Sequence, residues 1–113
     1  MQTITSVGGN TGVDFNDDVK ARFGSSNQLE IFYGSSIGNV KVTSGNLNLI
    51  SSGGVVTKVN TSEDAIVCNA NGSVDLYHDN SKKLETASGG VTVTGTVAAT
   101  AYTGDGSALT GVS

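Results

Sequence analysis

The sequence predicts an all-β fold, on three observations. Apolar and polar residues alternate with period two in short segments, clusters of Gly, Asn, Ser and Asp recur between those segments, and Val and Thr together supply 27 of the 113 residues. Branching at Cβ costs little on a pleated backbone and more in a helix, so such a composition favours strands. No segment offers three turns of helical periodicity, and proline is absent.

Taken in chain order, turn clusters at Gly8–Gly12 and Gly24–Asn27 precede the first alternating pair, Leu29 and Ile31, with Glu30 between them on the opposite side. The cluster Gly34–Asn39 separates it from Val40 and Val42, which flank Lys41. Ser44–Asn46 and Ser51–Gly54 then bound a third pair, Leu47 and Leu49, around Asn48. Ile66 and Cys68 flank Val67, and the turn Asn69–Ser73 leads to Val74 and Leu76 around Asp75. Asp79–Ser81 and Ser88–Gly90 frame the return toward Val91 and Val93, which flank Thr92, and Gly104–Ser107 is the last cluster. Ser62–Ala65 and Ser107–Thr110 each predict a single helical turn, with Ser placed to cap it.

Gly, Ser, Thr and Asn fill 53 of the 113 positions, while Leu, Ile, Val and Phe fill 28. That quarter clears the roughly 20% level below which disorder is the default, but ordering about 100 residues costs on the order of 100 kcal/mol of chain entropy. A core shared between chains is the expected remedy. The formal charge of −4, with six Lys and Arg, leaves no basic patch for nucleic acid or an anionic membrane. No apolar run exceeds the four residues Ala65–Cys68, so neither a membrane span nor a signal-peptide segment is expected. One cysteine excludes an internal disulfide.

The chain also aligns with itself. Leu29-Glu30-Ile31-Phe32-Tyr33-Gly34-Ser35-Ser36 lies over Val74-Asp75-Leu76-Tyr77-His78-Asp79-Asn80-Ser81 at an offset of 45, and after one gap Ser44-Gly45-Asn46-Leu47-Asn48-Leu49 lies over Ser88-Gly89-Gly90-Val91-Thr92-Val93 at 44. The expected organisation is one fibrous segment over residues 1–113, with repeats over about 13–58 and 59–103 and a terminal turn block at 104–113. A unit this small cannot close its hydrophobic face alone, so neighbours along the chain or other copies must cover it.

Leu29–Ser35, Leu76–Thr86, Gly90–Thr96 and the block Gly104-Asp105-Gly106-Ser107-Ala108-Leu109-Thr110-Gly111 resemble, in this order, the repeats of tail-fibre-like structural proteins of marine bacteriophages, including those infecting cyanobacteria. The similarity runs from about Val13 to Val112. It implies an elongated, repeat-built β-fibre of β-helix or β-prism type, an intertwined homotrimer without enzymatic activity, located in the virion. Family members are commonly longer, with an attachment end and a receptor-binding tip; contact with a host receptor is expected through such a tip and not through these residues.

Residues with reactive side chains fit no catalytic or metal pattern. His78-Asp79 lacks a second histidine or a nucleophile, and Cys68 keeps the register of Ile66 and reads as a small packed hydrophobe. Asp14, Asn16, Asp17 and Asp18 resemble half of a calcium loop without its glycine and closing Glu. Gly104-Asp105-Gly106 lacks the helix and lysine of a phosphate cradle, and Asn60-Thr61-Ser62 and Asn71-Gly72-Ser73 read as turns. Phe32-Tyr33 and Tyr77-His78 occupy matching points, where at most one residue of each pair can be internal, and packing at a chain-to-chain seam is expected. No catalytic residue, metal or cofactor is expected.

The leading expectation is therefore a fibre shaft whose shared interior is made by Leu29, Ile31, Val40, Val42, Leu47, Leu49, Val74, Leu76, Val91 and Val93, with end-to-end stacking of Met1–Thr5 on Leu109–Ser113 of a neighbour. At that end Leu109 is expected to tuck onto a strand at Ala101-Tyr102. The competing expectation is a small β-sandwich that binds carbohydrate or a receptor; a small enzyme is the third and least supported by the residues present.

Overall fold

Eight strands and no helix make up residues 12–112, which the computed structural model describes. The chain divides between Asn48 and Leu49 into two units, each built on one antiparallel sheet. In the first unit β1 (Ala21–Phe23), β2 (Leu29–Gly34) and β3 (Ile37–Val42) lie in that order. The second is a five-stranded meander of β4 (Gly54–Val59), β5 (Glu63–Asn69), β6 (Val74–His78), β7 (Ser81–Ala87) and β8 (Gly90–Val93).

Two of the tight hairpins share one turn type. Gly34 pairs with Ile37 across Ser35-Ser36, and His78 pairs with Ser81 across Asp79-Asn80. All four loop residues have positive φ, between 48° and 62°, as the type I′ turn requires. The backbone twist of that turn matches the twist of the strands it joins. β4 and β5 are joined instead by Asn60–Ser62, where Ser62 N donates to Asn60 O at 2.9 Å around Thr61 at φ 65°. That is a γ-turn with a β-branched residue at its centre.

The pairing register of β1 with β2 recurs 45 residues later. Ala21 faces Ile31, Arg22 faces Glu30 and Phe23 faces Leu29, while Ile66 faces Leu76, Val67 faces Asp75 and Cys68 faces Val74. The one-residue gap lies inside β6, before the turn and not after it. β6 reaches its turn one residue sooner than β2, and the pairs Leu76–Leu84 and Tyr77–Lys82 leave Lys83 bulged out of β7.

Several expected elements change. Leu47–Leu49 forms no strand, and neither does Ala101-Tyr102. The segment expected as a helical turn at Ser62–Ala65 enters β5 at Glu63, and at the second such site Leu109 N donates to Gly106 O at 3.0 Å in one isolated turn. The repeat boundary at 58/59 falls within β4, a strand that the alternation pattern did not suggest. Of the end-to-end contact, Met1–Thr5 and Ser113 lie outside the described residues.

The turns before the missing strand and before its counterpart differ. Its counterpart β8 follows a turn in which Gly90 holds φ 145°, a conformation open essentially to glycine alone, and pairs with Ala87. The residue at the matching place in the first unit is Asn46.

Candidate interaction surface

Pairing sorts each sheet into two unlike faces. In the first sheet Ala21, Phe23, Leu29, Ile31, Val40 and Val42 share one face, since residues directly opposite across an antiparallel ladder point the same way. The reverse face carries Arg22, Glu30, Phe32, Asn39 and Lys41. In the second sheet Val55, Ile66, Cys68, Val74, Leu76 and Leu84 share a face with Val91 and Val93, against Val67, Asp75, Glu85 and Thr92 behind.

Burial inverts the expected order. Among the described residues no apolar side chain is buried, while Glu30 and Asp75 are, at 8% and 4% exposure. Each is the second residue of a strand flanked by a partner on both sides, at equivalent places in the two registers. Glu30 Oε2 lies 3.0 Å from Lys20 Nζ, and that ammonium also stands 4.7 Å over the Phe32 ring. Asp75 Oδ2 takes Asn69 Nδ2 at 3.3 Å and faces Lys82 Nζ at 3.7 Å; Asp75 Oδ1 is buried without a donor among the described residues. Lys82 also donates to Glu85 Oε2 at 2.9 Å. That hydrogen bond, helped by the charges of Asp75 and Glu85, raises the Lys82 pKa above the ordinary lysine value.

The apolar faces remain open. Of the ten residues expected in a shared interior, Leu29 and Val42 are half-buried and the other eight are exposed, from Val93 at 38% to Leu49 at 68%. Eight of the ten lie on these two faces, and Leu47 and Leu49 lie in no strand. Phe23, Val55, Ile66, Cys68 and Leu84 join the faces without having been assigned to that interior. Ile66 and Cys68 carry the alternation signal, whereas Leu84 is masked in the sequence by the charged residues around it.

The two faces differ in what covering them would cost. Burial of a half-exposed Val, Leu or Ile contributes on the order of 1 kcal/mol each, so the expected set offers about 10 kcal/mol per chain, comparable with the whole stability of a small domain. On the other face, withdrawing the partly exposed ammonium groups of Lys20 and Lys82 from water costs several kcal/mol per ion. Association therefore favours the apolar side.

The remaining candidate residues stand apart. His78 is exposed at the end of β6, Cys68 is half-buried between Val55 and Val74 on the apolar face, and Tyr33 is exposed on the face of Ile31. Asp18 has φ 65° and donates its backbone N–H to Tyr33 O at 2.8 Å, so the acidic stretch docks on β2. Asp105 Oδ1 accepts from Ser107 N at 2.9 Å, which, with a further bond from the Ser107 hydroxyl, lowers the Asp105 pKa. Tyr102 and Leu109 line one shallow cavity of about 370 Å³ with Gly104–Gly106. Among the described residues no three His, Cys, Asp or Glu side chains converge as a metal site, and no helix is long and apolar enough to cross a membrane.

Compared with protein-family models, with curated proteins and with solved structures, the chain finds no match.

Proposed function

We propose that this chain is a structural segment of a fibrous virion appendage, the shaft of a phage tail fibre or a related structure, with itself as its principal partner. Three copies bring their apolar faces to one axis as an intertwined β-helix or β-prism, and the Lys–carboxylate faces meet solvent. Chemistry is no part of this role. Any host receptor is engaged by a tip elsewhere, and end-to-end stacking extends the shaft into a filament.

The observation that carries the reading is the inverted burial: no apolar side chain is buried among the described residues, yet both sheets hold a predominantly apolar face. Stable domains cover such a face with a second layer. The sequence resemblance supplies the identity of the assembly, and the recurrent register supplies a reason for elongation, because units that pair alike can stack alike.

Sedimentation at micromolar concentration tests it. A species of three chains of 11.4 kDa, with a frictional ratio well above that of a sphere, is expected. A folded, compact monomer would sink the fibre and favour a small binding module.

A further inference from the structure

The two sheets end differently on one side. β7 carries β8 on its outer edge, through Glu85–Thr92 and Thr86–Val91 among other pairs. β3, which stands where β7 does, has nothing on that edge among the described residues. Its backbone donors and acceptors there are a template for one more strand. The segment that matches β8, Asn46–Leu49, keeps the alternation of a strand and has no strand partner among the described residues, with Leu47 47% and Leu49 68% exposed. The edge and the strand that fits it are therefore both present, and what separates them is the turn. Folding back onto β3 of the same chain would put Asn46 where Gly90 holds φ 145°.

The geometry points to strand exchange: Asn46–Leu49 of one copy completes the outer edge of β3 in a second copy of this chain, in the register by which β8 completes β7. Between chains no tight turn is needed, so the Asn46 constraint disappears while every ladder bond is kept. The register sets Lys41 opposite Asn48 and Val42 opposite Leu47, by analogy with Glu85–Thr92 and Thr86–Val91. Leu47 and Leu49 then continue the face formed by Val42 and Val40. This rests on the self-assembly proposed above and adds to it which backbone joins which.

The test is a chain carrying Lys41→Cys, Asn48→Cys and Cys68→Ser, oxidised mildly and run on a denaturing gel, with the parent particle sedimented alongside. Directly opposed residues on antiparallel strands bring their Cα atoms within the roughly 4.4–6.8 Å that a disulfide spans. A covalent trimer is expected, since exchange around a threefold axis closes a ring. A covalent dimer would support exchange and overturn the trimer. An intrachain disulfide, or none, in particles that still sediment as trimers would overturn exchange alone, and a monomeric parent would overturn both. Should the cysteine variant fail to fold, Asn46→Gly addresses the same point: opening the local turn is expected to raise the concentration at which the oligomer dissociates by tenfold or more. An unchanged dissociation concentration would overturn exchange.

Discussion

The three-stranded and five-stranded sheets pair their central strands in the same register, yet they differ in size, in turn placement and in how each holds its buried acid. Glu30 is met at 3.0 Å by Lys20, which precedes β1, whereas Asp75, shorter by one methylene, faces Lys82 on β7 at 3.7 Å and takes Asn69 as a nearer donor. The strand register survives a change of charge partner. The extent of the sheets differs where the backbone differs: the strand that begins at Gly90 is paired, while its counterpart that begins at Asn46 has no partner among the described residues.

The largest expected effect breaks the similarity of the two apolar faces. Leu76→Asp places a carboxylate at the centre of the wider face, and its equivalent Ile31→Asp does so on the narrower one. Each should cost several kcal/mol of association, read as a shift from trimer to monomer in sedimentation. Leu76→Asp should do more, because its face extends across five strands and not three. Trimers that persist unchanged in both variants would show that neither face lies at the seam.

A second change should make the larger sheet resemble the smaller. Gly90→Asn asks a non-glycine residue to hold φ 145°, at a cost of about 1–3 kcal/mol. Amide exchange should then become fast for Val91–Val93 while β5 and β6 stay protected. Protection retained in β8 would remove the turn as the reason for the missing strand.

A smaller effect of opposite sign is expected at the loops. Thr61→Gly relieves a β-branched residue at φ 65° and should raise stability by about 1 kcal/mol, seen as a higher urea midpoint at unchanged slope. Part of the gain is offset by the loss of the Thr61 hydroxyl bond to Asn60 O at 2.7 Å. Ser36→Gly, at φ 62° without the branched methyl, should gain less.

The smallest effect lies outside both sheets. Because its folded pKa is lowered, Asp105 stabilises its turn above the ordinary aspartate pKa, and that contribution is lost as pH falls through the folded value. The Ser107 amide resonance should titrate with a midpoint below that of an unstructured aspartate. A midpoint at or above it would mean that the Ser107 contacts are not formed.

The sequence alone determined the class of structure and most of its strands. Period-two alternation located β2, the far half of β3, and β5, β6 and β8, and the Ser, Asn and Asp clusters marked the hairpins, because these signals act over a few neighbouring residues. It also placed Leu29 with Ile31, and Val74 with Leu76, on one face of their strands, as the pairing does. Three matters were decided only in three dimensions. Asp75 alternates with apolar neighbours and reads as solvent-facing, but the side chains of Asn69 and Lys82 converge on its carboxylate, while Leu76 beside it on the other face stays exposed. The gap between the two halves falls within β6, since a bulge at Lys83 absorbs it, and an alignment places a gap by residue identity and not by ladder geometry. Asn46 against Gly90 is visible as a mismatch, but its weight comes from a backbone angle that only glycine adopts freely, and φ is a property of the folded turn.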